Sequence, residues 1–352
     1  MNLQNSMPDW LNRSNCPAFT VTNHRITACN QAAEALLLSP GTDVRTLLLT
    51  GKEEYERFQG GCLYLQLALS SKGYGAAVTR EGDTDLFLLE QDPEETELRS
   101  LSLAARELRN PLSNLMIAAD GLARQTDENP AVQELLARLN RSLHQMHRLV
   151  NNMSDAARSD LLTSTGMHDW TRLMYDIFEK IQTQLSGTRV TLSYEGPSEP
   201  IYGFANEGQL ERAVLNIVSN AMKFMPEGGQ IQAKLTKKQN LLHLSILDSG
   251  SGIPENILGT IFNRYQRQPG IEDSRYGIGL GMVLIRSAAA DHGGTVLIDC
   301  PEGSGTRITM TMAIRQDSDS LKTPIIPPVI DSSRKVLLEL SDCLPWEFYK
   351  QK

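Results

Sequence analysis

Two carboxamides and an ammonium group recur at helical spacing in the pattern Asn216-x-x-x-Asn220-x-x-Lys223. Residues i, i+4 and i+7 lie on one face of an α-helix, so the three side chains point the same way. An amide oxygen is a hard ligand that suits a hydrated Mg²⁺ ion, and a lysine neutralises phosphate charge. The spacing indicates a face for a metal–nucleotide complex, although by itself it also fits a solvated helix face.

A carboxylate followed by glycines comes next, in the pattern Asp248-x-Gly250-x-Gly252. It lies directly after the apolar run Leu242–Leu247, which predicts a strand. A carboxylate at a strand end accepts a hydrogen bond from an exocyclic amine, and the glycines let the backbone approach a flat ring. This pattern favours the recognition of a nucleobase.

Two further glycine patterns lie at residues 277–281 (GIGLG) and 303–306 (GSGT). The first opens a predicted helix, whose N-terminal N–H groups suit phosphate. Its spacing and context differ from the G-x-G-x-x-G fingerprint of dinucleotide-binding folds. The second is, on its own, a tight turn between two strands.

The elements that position these patterns follow from hydrophobic periodicity over residues 167–315, which predicts an α/β domain. The predicted helices are Trp170–Leu185, Gly208–Phe224 and Met282–Asp291. The predicted strands are Val190–Tyr194, Ile231–Leu235, Leu242–Leu247, Thr295–Asp299 and Arg307–Met312.

In order and spacing the four patterns resemble the N, G1, G2 and G3 boxes of the ATP-binding domain of sensor histidine kinases. Gyrase, MutL and heat-shock chaperone ATPases share this GHKL (Bergerat) α/β-sandwich fold. The segment Ile261–Arg267 resembles the F box, and residues 263–277 would be the ATP lid. The resemblance implies that ATP and Mg²⁺ are the cofactors and that Asn220 is the Mg²⁺ ligand. The cofactor-binding residues that it implies are Asn216, Asn220, Lys223, Asp248, Gly250, Gly252, Arg264, Gly277, Gly279, Gly281 and Thr306.

Asn216 stands where the gyrase and MutL relatives carry a water-activating glutamate. Because an amide is not a general base at neutral pH, vigorous ATP hydrolysis is disfavoured, as the resemblance to the kinase branch implies.

A pair of amphipathic helices is predicted between Glu94 and about Ser159. Apolar residues recur at spacings of three and four in two seams, one on each side of the break at residues 125–130. The first seam consists of Leu98, Leu101, Ala105, Leu108, Leu112, Leu115, Ala119 and Leu122; the second of Leu136, Leu139, Leu143, Met146, Val150 and Met153. One hairpin cannot cover this apolar edge, so we predict a homodimeric four-helix bundle; packing on a neighbouring domain of the same chain is the alternative.

The first predicted helix contains the segment Ala105–Leu112, which resembles the kinase H box S-H-E-L-R-T/N-P-L. Arg106 occupies the position of the phosphoacceptor histidine. The heptad places Ala105 in the core seam, so Arg106 is expected to face solvent. A guanidinium is protonated at every relevant pH and is a very poor nucleophile, so H-box autophosphorylation is expected to be absent. The resemblance implies that Glu107 and Asn110 are the catalytic residues of a phosphatase element.

His147, on the second helix of the hairpin, is the alternative phosphoacceptor. It is predicted to lie within about one turn of the level of Arg106, outside the core. A histidine on the surface of an amphipathic helix is the more common explanation for such a residue.

Residues 1–92 weakly resemble a PAS sensor domain, because two strands and short helices precede three more strands. The predicted strands are Ala18–Val21, Arg25–Cys29, Leu63–Leu69, Ala76–Thr79 and Leu86–Leu89, with a helix at Gln31–Leu38. Another small α+β domain is the alternative. The predicted domains are therefore the PAS-like domain at 1–92, the hairpin at 93–159 and the ATP-binding domain at 167–315. A linker and tail follow at 316–352, and Trp346, Phe348 and Tyr349 of the tail are expected to dock on a folded domain.

Composition restricts the partners and the location that the sequence allows. Lys plus Arg total 34 against 42 Asp plus Glu, which disfavours a nucleic-acid partner. No apolar run is long enough to span a membrane, and the scattered cysteines predict no disulfide framework, so a cytoplasmic location is expected. The predicted partners are a second copy of the chain and a response-regulator receiver domain. Three functions stay open: a degenerate kinase that dephosphorylates the regulator, a non-catalytic ATP-gated pseudokinase that sequesters a regulator or pairs with another histidine kinase, and a kinase with an unorthodox acceptor.

Overall fold

The structure is a computed structural model that describes residues 14–70, 72–90, 95–125, 130–156, 165–254, 280–301, 303–315 and 332–350. The predicted F box, with Arg264, and the glycines Gly277 and Gly279 lie outside the described residues. The chain divides into two compact units, residues 1–92 with 233–314 and residues 93–232 with 315–352. The four predicted domain boundaries stay a prediction.

In the first unit, an antiparallel sheet is built from the N-terminal residues, with strand order β2-β1-β5-β4-β3. Phe19 stacks on Phe87 in its core with ring centroids 4.7 Å apart, and Tyr55 packs edge-on against Phe87. The elements are β1 (Ala18–Thr22), β2 (Arg25–Cys29), α1 (Gln31–Glu34), α2 (Lys52–Glu56), β3 (Cys62–Leu69), β4 (Lys72–Glu81) and β5 (Thr84–Leu89). This matches the predicted order of elements along the chain, while the PAS assignment itself stays a prediction.

Helix α1 is shorter than the predicted helix Gln31–Leu38. Leu37 adopts a left-handed backbone with φ of 65°, and the N–H of Leu38 donates back to the carbonyl of Ala33. This Schellman-type ending stops the helix after about one turn, before Pro40.

The same unit contains β10 (Leu241–Asp248), β11 (Val296–Asp299), β12 (Arg307–Ala313) and α7 (Leu280–Asp291). β12 pairs antiparallel with both β10 and β11, and β11 also pairs antiparallel with β3. At this junction Arg286 of α7 forms an ion pair with Glu90, which also accepts a hydrogen bond of 2.7 Å from the hydroxyl of Tyr64.

The second unit contains the hairpin helices α3 (Glu95–Gln125) and α4 (Pro130–Ala156), followed by α/β elements. These are β6 (Gly166–Asp169), α5 (Trp170–Leu185), β7 (Val190–Glu195), β8 (Tyr202–Ala205) and α6 (Glu207–Lys223), with β9 (Gly229–Lys238) beginning in this unit. The short paired strands β6 and β8 are not predicted by the hydrophobic pattern.

The hairpin buries only alternate members of its two seams within one chain. Ala105, Leu112 and Ala119 of α3 form a core with Leu143 and Val150 of α4. The intervening seam residues stay exposed: Leu108 (49%), Leu115 (54%), Leu122 (53%), Leu139 (43%) and Met146 (44%). The side chains of Leu98 and Leu101 are outside the described part of the chain. A single hairpin therefore leaves an apolar stripe uncovered, as the heptad spacing predicts.

The C-terminal tail folds into α8 (Ser332–Glu339) and a 3-10 turn (Trp346–Tyr349). Tyr349 is 5% exposed, with its ring centroid 5.2 Å from that of His144 on α4. The guanidinium of Arg138 lies over the ring of Trp346 at 5.3 Å. The predicted docking of the tail aromatic residues on a folded part of the chain is confirmed. None of the helices that the structure describes has the length and apolar character needed to cross a membrane.

Candidate functional site

Asp248 ends β10 and is 8% exposed. Its Oδ1 accepts hydrogen bonds from the N–H groups of Gly250, at 2.8 Å, and Thr306, at 3.1 Å. Burial raises the pKa of the Asp248 carboxyl, and these two hydrogen bonds partly offset the effect. The carboxylate is therefore fixed in orientation at a strand end, as recognition of an exocyclic amine requires.

Glycine is required beside this carboxylate. A Cβ atom at Gly305 would collide with Asp248 Oδ1 and with the backbone N of Gly250. Gly252 adopts φ of 72°, a left-handed conformation that favours glycine. The predicted G1 and G3 patterns thus meet, because Thr306 and Asp248 exchange backbone and side-chain hydrogen bonds. Of the predicted G2 residues, Gly281 lies half-buried in the first turn of α7.

Helix α6 carries the N-box residues in the second unit. Asn206 caps its N-terminus, where its Oδ1 accepts from the N–H of Gln209 at 3.1 Å. Glu207 in the first turn and Lys223 in the last turn both complement the helix dipole. Capping and charge therefore define the helix that the periodicity predicts.

The structure places the three N-box side chains in different environments. Asn216 is fully buried; its Nδ2 donates to the carbonyl of Arg212 at 2.8 Å, and its Oδ1 accepts from Arg148 Nη2 at 3.2 Å. Asn220 and Lys223 are half-buried one and two turns further along α6. Lys223 Nζ lies 3.0 Å from Asp342 Oδ2 in the tail.

Sequence reasoning missed Arg148, Glu339 and Asp342, which join this face to α4 and the tail. Arg148 lies two residues from both Met146 and Val150, roughly 200° around α4 from that seam, yet its side chain is only 5% exposed. The heptad spacing predicts an exposed residue at this position, so the sequence gives no signal of its burial. Its two partners in the tail, Glu339 and Asp342, have no local signal either.

The charged and amide side chains of the predicted H box that carry its chemistry lie on the solvent side of α3. Ala105 is fully buried, whereas Arg106, Glu107 and Asn110 are exposed. Pro111 lies inside the helix, so the carbonyl of Glu107 has no i+4 N–H donor. The predicted exposure of Arg106 is confirmed.

Helix α4 carries two histidines, of which His147 is the alternative acceptor that the sequence predicts. His147 is half-buried on α4, and its Nδ1 is buried. The Nδ1 of His144 is 2.8 Å from the carbonyl oxygen of Asn140, and its ring packs on Tyr349. No metal-binding group of three or more His, Cys, Asp or Glu side chains occurs among the residues described here.

Two family models match the parts of the chain that form the hairpin and the predicted nucleotide-binding domain. Residues 205–316 match "Histidine kinase-, DNA gyrase B-, and HSP90-like ATPase", and residues 97–161 match "His Kinase A (phospho-acceptor) domain". The fold and these matches therefore define a GHKL-type ATP-binding domain that follows a phosphoacceptor-type hairpin along the chain. The sequence patterns predict the same two domains, which are those of sensor histidine kinases.

The relatives are sensor kinases. The chain is 27% identical over 241 residues to the sensor histidine kinase WalK of Bacillus subtilis, covering 65% of this chain and 39% of WalK. It is 29% identical over 265 residues to the adaptive-response sensory kinase SasA of Crocosphaera subtropica, covering 70% of this chain and 68% of SasA. The crystal structure of full-length ShkA in complex with AMPPNP shares the fold, with a TM-score of 0.52 and 20% identity over 69% of this chain and 54% of ShkA. The chain thus spans well under half the length of WalK.

Replacing Asp248 by asparagine is expected to weaken ATP binding roughly tenfold or more. Because Gly250 and Thr306 fix the oxygen of this side chain, the new amide presents an NH₂ donor where the carboxylate presented an acceptor. Isothermal titration calorimetry with Mg-ATP measures the change. Asp299→Asn is the matched control, since Asp299 also ends a strand of this unit but pairs with Arg307. Equal affinity of wild type and Asp248→Asn would contradict the adenine assignment.

Proposed function

We propose that this protein binds Mg-ATP, does not autophosphorylate at its H box, and dephosphorylates a response regulator. The observation that carries the proposal is the exposed Arg106 at the position where the resemblance places the phosphoacceptor. A guanidinium is protonated at every relevant pH and is a very poor nucleophile toward a phosphoryl group, whereas it binds phosphate oxygens through paired N–H groups.

The residues present fit a Mg-ATP complex. Asn220 offers one amide oxygen, and Mg²⁺ ordinarily takes few protein ligands, because water and the substrate phosphates complete its shell. When bound, the ion neutralises phosphate charge. Lys223 at the end of α6 supplies a further positive charge, and Asp248 supplies the acceptor for the adenine amine.

The phosphatase activity is supported by the solvent side of α3. Asn110 lies one helical turn beyond Arg106, so the two side chains share a face next to Glu107. An amide there orients water for attack on an aspartyl phosphate of the regulator. This acyl phosphate is already activated, so positioning of the nucleophile is the missing contribution. The guanidinium of Arg106 offsets the charge of the phosphoryl group.

A homodimer is supported by the apolar stripe that one hairpin leaves exposed. Leu108, Leu115 and Leu122 recur every seven residues on α3, each about half exposed. A second copy of the chain carries the same stripe. Two hairpins related by a two-fold axis would therefore bury their apolar stripes against each other in a four-helix bundle.

Two other functions remain compatible with Arg106. A non-catalytic pseudokinase that sequesters a regulator, or pairs with another histidine kinase, needs only the ATP domain and the hairpin. A kinase that uses His147 needs that ring to become accessible from its half-buried position.

Leu115→Glu is expected to convert the dimer to a monomer, because it places a charge on each side of the apolar contact. Light scattering during size-exclusion chromatography measures the mass. Ile117→Glu is the control, since Ile117 is 70% exposed on the same helix but lies roughly 200° around it from Leu115. A Leu115→Glu protein with the mass of wild-type dimer would exclude this interface.

Incubated with γ-labelled ATP, the wild-type protein is expected to gain no acid-labile phosphate. Arg106→His restores an imidazole beside Glu107 and is expected to gain label if the rest of the phosphotransfer machinery is intact. Filter binding after alkaline and acid treatment distinguishes phosphohistidine. Labelling of the wild type that disappears in His147→Ala would favour the substitute acceptor instead.

The purified protein is expected to accelerate phosphate release from its phosphorylated cognate regulator, and Asn110→Ala is expected to abolish this while leaving ATP affinity unchanged. Released phosphate is followed with ATP, with ADP and without nucleotide. Gln133→Ala removes an equally exposed amide near the start of α4 and should release phosphate like the wild type. If the wild type never accelerates release, the pseudokinase becomes the better account.

A further inference from the structure

The C-terminal segment Ser332–Lys350, which we call the clasp, is held through its backbone by α4. Arg141 donates from Nε to the carbonyl of Ser341 and from Nη2 to the carbonyl of Asp342, each at 3.2 Å. Gln145 Nε2 donates to Ser341 at 3.2 Å as well. These bonds fix the turn that follows α8 against the hairpin.

Apolar burial and internal bonding give the clasp a defined conformation. The hydroxyl of Tyr349 donates to the carbonyl of Leu337 at 2.8 Å, which closes the 3-10 turn back onto α8. The buried apolar and aromatic side chains of the clasp are Val336, Leu338, Leu340, Leu344 and Tyr349. Burial of these large apolar side chains stabilises the docked clasp and offsets the entropy lost on ordering the segment.

Two carboxylates of the clasp bind three cations. Glu339 is 2% exposed and lies between two guanidinium groups, 3.4 Å from Arg148 Nε and 3.4 Å from Arg212 Nε. Asp342 Oδ2 lies 2.7 Å from Arg148 Nη1 and 3.0 Å from Lys223 Nζ. Without the clasp, three positive charges would remain close together on α4 and α6.

The clasp follows one stripe of the N-box helix. Lys335 forms an ion pair with Glu211, Cys343 Sγ lies 3.2 Å from the carbonyl of Ser219, and Asp342 pairs with Lys223. The positions 211, 219 and 223 are separated by eight and four residues, so they lie on one side of α6. This stripe adjoins that of Asn216 and Asn220.

The chemistry of these contacts is that of phosphate binding. Lysine and arginine pair with carboxylates and with phosphates through the same N–H donors. The carboxylate of Asp342 therefore pairs with the Lys223 ammonium as a phosphate oxygen of ATP would. One ammonium cannot fully neutralise both anions, and two anions side by side repel each other.

We propose that the clasp is an autoinhibitory segment that competes with the phosphates of ATP for Lys223 on the N-box helix. This inference rests on the proposed ATP site and adds a closed state to it. With the clasp docked, only the undocked fraction binds ATP at full affinity, so the apparent affinity is reduced by that fraction. By reciprocity, ATP weakens the docking of the clasp by the same factor.

The test uses the full chain and measures Mg-ATP affinity by calorimetry. Asp342→Asn removes the carboxylate charge that pairs with Lys223 but keeps a polar side chain at a site that is 32% exposed, so folding is retained. We expect ATP to bind at least about threefold more tightly to this variant, a shift that corresponds to half a decade of affinity. Glu347→Gln, an equal charge change at an exposed position in the 3-10 turn of the clasp, should leave the affinity unchanged.

A second measurement follows hydrogen exchange of the clasp amides in the wild type. The N–H groups of Leu340 and Leu344 donate to Val336 and Leu340 within the clasp. Saturating Mg-ATP should accelerate their exchange, and Asp342→Asn should accelerate it without ATP.

Equal ATP affinity of wild type and Asp342→Asn, or slower exchange of the clasp with ATP, would overturn the competition while leaving the ATP site standing. Absence of ATP binding in every variant would instead refute the ATP site, and the clasp inference with it.

Discussion

Arg148 carries a charge in the interior of the second unit, and the positions of three segments depend on neutralising it. Taking a guanidinium out of water costs several kcal/mol unless carboxylates and hydrogen bonds replace the lost solvent. Around Arg148 the lost solvent is replaced by the carboxylates of Glu339 and Asp342 from the clasp and by the amide oxygen of Asn216 from α6. Helix α4 and the clasp are therefore mutually dependent, because separating them takes both carboxylates away from Arg148, and the amide of Asn216 links α6 to the same guanidinium.

This dependence gives Asn216 a structural role in addition to its place in the N box. Both ends of its amide are engaged, the oxygen by Arg148 and the nitrogen by the carbonyl of Arg212. Asn220 and Lys223 lie nearer the surface of the same helix. The buried amide thus ties the helix to the hairpin, and Asn220 and Lys223 are the N-box residues left for the proposed nucleotide site.

The sequence predicted those elements whose limits are set by neighbouring residues, through apolar periodicity and helix capping. The helix Trp170–Leu185 was predicted with both ends correct, because its apolar face is regular and Asp169 caps it through the N–H of Thr171 at 3.0 Å. The four-residue strands β6 and β8 carry too few residues for alternation to be detected. The clasp was predicted to dock through its aromatic residues, but its carboxylates find partners more than a hundred residues away, and nothing in their spacing indicates which cations they meet.

The pairing of β3 with β11 has a consequence for how the chain avoids unwanted association. A strand at the rim of a sheet presents unpaired N–H and C=O groups on which a foreign strand can grow. β11 is short and apolar, with Val296 and Ile298 fully buried, and β3 covers its open side. Gly61 allows this approach, since a Cβ atom there would collide with the carbonyl of Ile298. Each strand therefore shields the other from aggregation, and the nucleotide-binding strands of this unit rely on the N-terminal sheet for that protection.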